Sequence, residues 1–154
     1  MIRRVWILLA CAAQPVGAQE PTALALADSL LAAGDLAGAD VAYSTFLETQ
    51  PRSVRAWVGR GTTRSWRGQQ DLALNDFRHA LSLEPTDAAA LTGAGYAHLW
   101  AGRRVDGEQI FARLLDADPS SYEAEKGLAF AALWGGDPPL AVKRFEQLST
   151  RYPE

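Results

Sequence analysis

The chain is expected to fold as an all-α solenoid of four stacked helical hairpins, and three observations carry that expectation. The prolines Pro51, Pro85, Pro119 and Pro153 stand 34 residues apart, and so do the glycines Gly34, Gly68, Gly102 and Gly136. Trp66, Trp100 and Trp134 repeat the same interval, as do the cap-forming residues Ser53, Asp87 and Ser121. A fixed period between 20 and 50 residues is the sequence mark of a solenoid, in which each unit buries its sides against its neighbours. At 154 residues the chain fits a single domain.

Taken in order, the first residues read as an export signal. Ile2-Arg3-Arg4 supplies the positive end, residues 5–13 a short apolar core, and Val16-Gly17-Ala18 a small-residue cleavage site. The run is too short to cross a bilayer, which takes roughly 20 residues. Residues 1–18 are therefore assigned as a leader and 19–154 as the repeat domain. Leu8-Leu9-Ala10-Cys11 also looks like a lipoprotein signal, although its apolar run is short. Cleavage after Ala18 leaves a chain without cysteine, so neither a disulfide nor a thiolate metal site is expected in it.

Four units follow, over about 20–53, 54–87, 88–121 and 122–154. Helices are predicted over residues 20–34 and 36–49 of the first, with Ala39, Tyr43, Phe46 and Leu47 available for packing. The unit is acidic, and Asp28 in mid-helix suits the polar outer side of an end repeat. In the second unit the helices span 54–67 and 71–83. Trp57, Gly61 and Arg64 share one helical face, and Ala73, Phe77 and Ala80 share another. Gly61 and Ala73 put minimal side chains where the two helices cross. Gly68 ends one helix in the left-handed conformation and Pro85 stops the next.

The third unit spans 88–101 and 106–115. Gly93, Gly95 and Gly107 lower its helix propensity by up to about 1 kcal/mol each, making it the expected soft point. Gly95 lies at the helix crossing, whereas Gly93 has no packing reason visible in the sequence. In the fourth, over 122–134 and 138–149, Asp137 can cap a helix opened by Pro138 or Pro139. Phe145 and Leu148 are expected to be partly uncovered, implying a longer chain or a partner at that end.

The unit resembles the tetratricopeptide repeat. The best copy matches it at Trp57, Gly61, Gly68, Ala73, Phe77, Ala80 and Pro85. The third matches at Leu91, Ala94, Gly95, Gly102, Phe111, Leu114 and Pro119, and departs at Gly107 and His98. The fourth matches at Leu128, Ala129, Gly136, Ala141, Phe145, Leu148 and Pro153, with Glu125 in place of a large apolar residue. The resemblance implies a right-handed α-solenoid whose first helices line a concave, peptide-binding surface. On that surface it places Arg55, Val58, Thr62, Trp66, Thr92, Tyr96, Leu99, Trp100, Lys126, Phe130 and Trp134.

Helical geometry gives these aromatics a face of their own. Trp66 lies nine residues beyond Trp57, about 180° around the helix, and Trp100 and Trp134 keep that offset. Arg55, Thr62 and Trp66 thus share a face opposite the intra-unit contact, as do Ala89, Tyr96 and Trp100, then Glu123, Phe130 and Trp134. Tryptophan brings a large rigid contact area, which enriches it in binding hot spots. The competing expectation is that these tryptophans fold back and pack between repeats. Ala56, Ala90 and Ala124 lie between the two faces, where adjacent first helices can approach.

Net charge is −3, and −5 once Arg3 and Arg4 leave, from 13 basic against 18 acidic groups. That balance argues against a nucleic-acid binder. Arg55, Arg60, Arg64 and Arg67 give the first helix of the second unit a basic character, read either as charge balance with the acidic first unit or as an anion-binding patch. Arg60 and Arg64 are expected to pack their stems near Trp57 with their charges in water. His79 and His98 lie on different helices, acidic pairs such as Asp71 and Asp76 read as solvated, and no phosphate loop or HExxH appears. The expectation is a non-catalytic periplasmic scaffold, without cofactor or metal, that binds an envelope protein or peptide. The alternative is a carbohydrate-engaging or spacing domain of a larger outer-membrane protein. The Leu99-Trp100-Ala101-Gly102-Arg103 stretch looks like repeats of polysaccharide-export proteins.

Overall fold

A computed structural model describes residues 20–153; the leader assigned to residues 1–18 lies outside the described residues. Eight helices occupy the described residues: α1 (Glu20–Ala32), α2 (Leu36–Thr49), α3 (Val54–Trp66), α4 (Gln70–Leu83), α5 (Ala88–Trp100), α6 (Arg104–Ala117), α7 (Tyr122–Trp134) and α8 (Pro138–Arg151). Each expected helix is present. The largest shift is at α6, which starts two residues before and ends two residues after the predicted span.

The punctuation works as the period implies. Ser53, Asp87 and Ser121 accept hydrogen bonds from the backbone N–H three residues on, satisfying one orphan donor at each start of α3, α5 and α7. At the turns within hairpins, Gly34, Gly68, Gly102 and Gly136 take φ between 74° and 81°. The N–H after each glycine reaches back to a carbonyl in the last helical turn, for example Gln69 to Arg64 at 2.9 Å.

The hairpins stack so that α1 lies close against α3, α3 against α5 and α5 against α7, while among the described residues no two even-numbered helices bring their backbones as near. The stack therefore bends toward its first helices, and their shared face is the concave one. Ala56, Ala90 and Ala124, each fully buried, let those helices approach.

One aromatic residue of each of α2, α4 and α6 fixes the stacking. Phe77 is buried between Gly61 of its own hairpin and Gly93 of the next. A methyl added at Gly61 would lie 2.8 Å from the ring, and one at Gly93 closer still. Phe111 is seated in the same way between Gly95 and Gly127, and Tyr43 against Gly59. Gly93, without a reason in the sequence, is thus the opposite wall of the Phe77 slot. Gly107 has a different cause: a methyl there would lie 2.7 Å from Leu99 Cδ2 and 3.1 Å from the Gly95 carbonyl.

Charge expectations need correction. Asp76 is not solvated: it is 2% exposed and accepts from Arg60 Nη2 and Arg64 Nη1, both at 2.8 Å. Arg64 Nε also donates to Asp40 at 3.0 Å, and Arg67 donates to the other oxygen of Asp40 at 2.5 Å. The guanidiniums of Arg60 and Arg64 therefore do not reach into water but join α2, α3 and α4, while Arg60 also covers Trp57. Asp28, expected on an outer side, accepts from Tyr43 Oη and Arg55 Nη2, each at 2.6 Å. Of the two residues expected to be partly uncovered, Leu148 is buried, whereas Phe145 is half-buried as expected and packs edge-on against Phe130 at 5.3 Å. Glu125 takes the guanidinium of Arg151 rather than filling an apolar site.

Two stability measurements check this account. Gly93→Ala should lower the unfolding free energy by about 1–2 kcal/mol in a denaturant titration, because overpacking the Phe77 slot outweighs roughly 1 kcal/mol of helix propensity gained. Asp76→Asn, leaving two guanidiniums short of a counter-charge, should cost about 2–4 kcal/mol. Asp71→Asn, in an exposed pair with Arg103, should cost no more than about 0.5 kcal/mol in the same assay.

Candidate functional site: the concave groove

The stacking that buries one side of each first helix leaves the opposite side facing the inner curve. Between α3 and α5 this side forms a groove of about 440 Å³. Val58, Thr62, Ser65 and Trp66 form one wall, and Ala88, Ala89, Thr92, Tyr96 and Trp100 the other. Phe77 and Gly93 lie at its base, and Ser121 and Glu123 stand at the start of α7. Small residues at 88, 89 and 92 open the groove because they are the turns of α5 that carry no bulk toward it.

The tryptophans are not packed between repeats. Trp66, Trp100 and Trp134 are 57%, 47% and 51% exposed. Each of the last two is held by the aromatic residue one turn earlier: Tyr96 stacks on Trp100 at 5.7 Å, and Phe130 on Trp134 at 5.1 Å. Tyr96 also meets Phe111 edge-on at 5.2 Å, tying the exposed row to the core. Thr62, at the equivalent position, offers no ring, so Trp66 lacks that backing. Tyr96 and Phe130 are half-buried.

The Tyr96 hydroxyl is buried and has no hydrogen-bond partner. Burial first, and then the negative Glu123, push its ionisation above the ordinary phenol range. Tyr43 is shifted the same way, by burial and by its hydrogen bond to Asp28.

Of the eleven predicted residues, Val58, Thr62, Trp66, Thr92, Tyr96 and Trp100 come together in the groove. Phe130 and Trp134 continue the aromatic row on α7. Leu99 does not belong there: it is 7% exposed, turned into the core beside Leu91 and Phe111. The space it fills is the one that a side chain at Gly107 would occupy. Arg55 is exposed but paired with Asp28, and Lys126 is paired with Glu123 at 2.7 Å and lies over the Tyr122 ring. Neither lines the groove, so no cationic patch forms there. Sequence reasoning left out Ser65, Ala88, Ala89, Ser121 and Glu123 as lining residues, although Ala89 shares its helical face with Tyr96 and Trp100, and Glu123 with Phe130 and Trp134.

Tetratricopeptide-repeat profiles match residues 24–63, 67–122 and 127–154. The chain belongs to the tetratricopeptide repeat family. Compared by sequence, none of the curated proteins matches it. Among solved structures, a tetratricopeptide repeat protein from Parabacteroides merdae is similar over 92% of this chain and 55% of its own, with TM-score 0.80 and 22% identity. A Thermobaculum terrenum O-GlcNAc transferase is similar over 88% of this chain and 26% of its own, with TM-score 0.80 and 22% identity. The chain thus spans about half of the first and a quarter of the second. The first repeat domain of Spaghetti (RPAP3), bound to the HSP90 peptide SRMEEVD, is similar over 75% of this chain and 92% of its own, with TM-score 0.71 and 16% identity. These likenesses show the fold.

Exposure and burial separate the two aromatic sets experimentally. Trp100→Ala should cost less than about 1 kcal/mol, whereas Phe111→Ala should cost about 3–5 kcal/mol. Because the unfolded phenols ionise near pH 10 and the folded Tyr43 and Tyr96 above it, stability should be full below pH 10 and fall as pH rises beyond it. Tyr96→Phe should make that alkaline loss shallower without lowering stability at pH 7, since the hydroxyl it removes is unpaired.

Proposed function

We propose that this protein is a non-catalytic interaction scaffold that holds an extended polypeptide segment along the concave face of α3, α5 and α7. The observation that carries the reading is the row of Trp66, Trp100 and Trp134, half in water at equivalent positions beside an open groove. Trp100 and Trp134 are already exposed and already held by stacking, so they lose little entropy on binding, which favours affinity. The groove offers ligand surface rather than reactive groups. Its Ser65 hydroxyl donates to Gln70 Oε1 at 2.8 Å, and the Ser121 hydroxyl caps α7, so neither faces a general base.

The exported, periplasmic setting rests on the leader pattern of residues 1–18. No helix among the described residues is long and apolar enough to cross a membrane. The second reading, engagement of a polysaccharide within an outer-membrane export assembly, draws on the same three exposed rings, since a sugar chain also stacks on aromatic faces.

Expression in a Gram-negative host followed by fractionation should recover the protein in the periplasm with Gln19 as its first residue; a cytoplasmic, unprocessed chain would end the export proposal. For the groove, Tyr96→Ala and Phe130→Ala should each weaken ligand binding by tenfold or more, followed by tryptophan fluorescence, with the helical circular dichroism retained. Unchanged affinity in both variants would retire the concave-face reading.

A further inference from the structure

We propose that the groove between α3 and α5 selects a polypeptide segment that presents a basic side chain and no acidic one, with Glu123 reading the charge. The inference rests on the concave-face reading above and adds the chemistry of the partner.

The basis is where the charges went. By sequence α3 is the most basic helix of the chain, with Arg55, Arg60 and Arg64, and Arg67 follows it. Folding draws Arg60, Arg64 and Arg67 into Asp76 and Asp40, while Arg55 stays 73% exposed, paired with Asp28 and outside the groove lining. The lining that remains contains no lysine, arginine or histidine, and its single charged side chain is Glu123. The Glu123 side chain is 44% exposed. Lys126 engages its Oε1, but Lys126 lies against Tyr122 and outside the lining, so the carboxylate is the charge nearest an occupant. An exposed i,i+3 pair of this kind is weak, and a ligand guanidinium can share the carboxylate in the more favourable two-pronged geometry.

The aromatic walls point the same way. The negative face of an indole attracts a cation and repels an anion. This protein uses that attraction itself, with Arg60 held 4.6 Å from the Trp57 ring centre. Trp66 and Trp100 offer similar faces to an occupant. An acidic segment such as SRMEEVD, bound by the structurally similar Spaghetti domain, would bring carboxylates into a groove with nothing to pair them. The shared fold therefore does not carry a shared ligand.

The test is a selection of displayed random decapeptides with free C-termini against the purified protein. Enriched sequences should be rich in arginine or lysine and depleted in aspartate and glutamate. For the best binder, Glu123→Gln should weaken affinity at least tenfold, and much less once the peptide's basic residue is replaced by glutamine. Trp100→Ala should weaken both peptides, and SRMEEVD should give no saturable change in tryptophan fluorescence. Acidic enrichment, saturable binding of SRMEEVD at the groove, or a change under twofold in Glu123→Gln overturns the charge preference. If Trp100→Ala still weakens binding in that case, the concave-face reading survives alone. If no selected peptide responds to Trp100→Ala, or a neutral oligosaccharide quenches the groove tryptophans where no peptide does, the polypeptide reading falls with it.

Discussion

The seat of one aromatic ring per hairpin governs this molecule. Phe77 and Phe111 each lie between a glycine of their own first helix and a glycine of the next. A ring held on both sides by backbone can neither slide along the stack nor rotate out, so hairpin packing and repeat packing are set by one contact. Burying such a ring is worth about 1.5–3 kcal/mol in transferred area alone. The glycines give up helix propensity to admit it, by up to about 1 kcal/mol each. The exchange favours the slot, and it makes successive first helices neighbours. Their opposite faces consequently form one continuous inner surface.

That surface inherits its character from what the core has consumed. Tyr96 is the link, with one edge on Phe111 in the core and its face on Trp100 in the open row. Charge is consumed in the same manner. The carboxylates of Asp76 and Asp40 draw Arg60, Arg64 and Arg67 toward the α2–α3–α4 junction, where ion pairs shielded from water are stronger than any that α3 could make at its surface. An arginine-rich helix thereby presents a groove wall without a cation, and the acidic first repeat is the source of part of its counter-charge.

Position 99 shows how local the decision between core and groove can be. Leu99 and Leu133 occupy equivalent places at the ends of α5 and α7, yet Leu99 is buried and Leu133 is 43% exposed. Across the hairpin Leu99 faces Gly107 where the fourth repeat has the buried Ala141, and Leu99 also joins a buried cluster with Ala124 and Ala131 of the next hairpin.

The sequence by itself determined the hairpin count, the helix ends and the aromatic row. These depend on interactions within a few turns of chain: a serine or aspartate capping three residues on, a glycine at positive φ, a fixed angular offset between Trp57 and Trp66. Only the tertiary structure decided the purpose of Gly93, the burial of Asp76 and Leu99, and the emptying of positive charge from the groove. Each of those turns on a contact between residues from different helices, often different repeats, and neither helical periodicity nor composition records which acid a given arginine will meet once the hairpins close on one another.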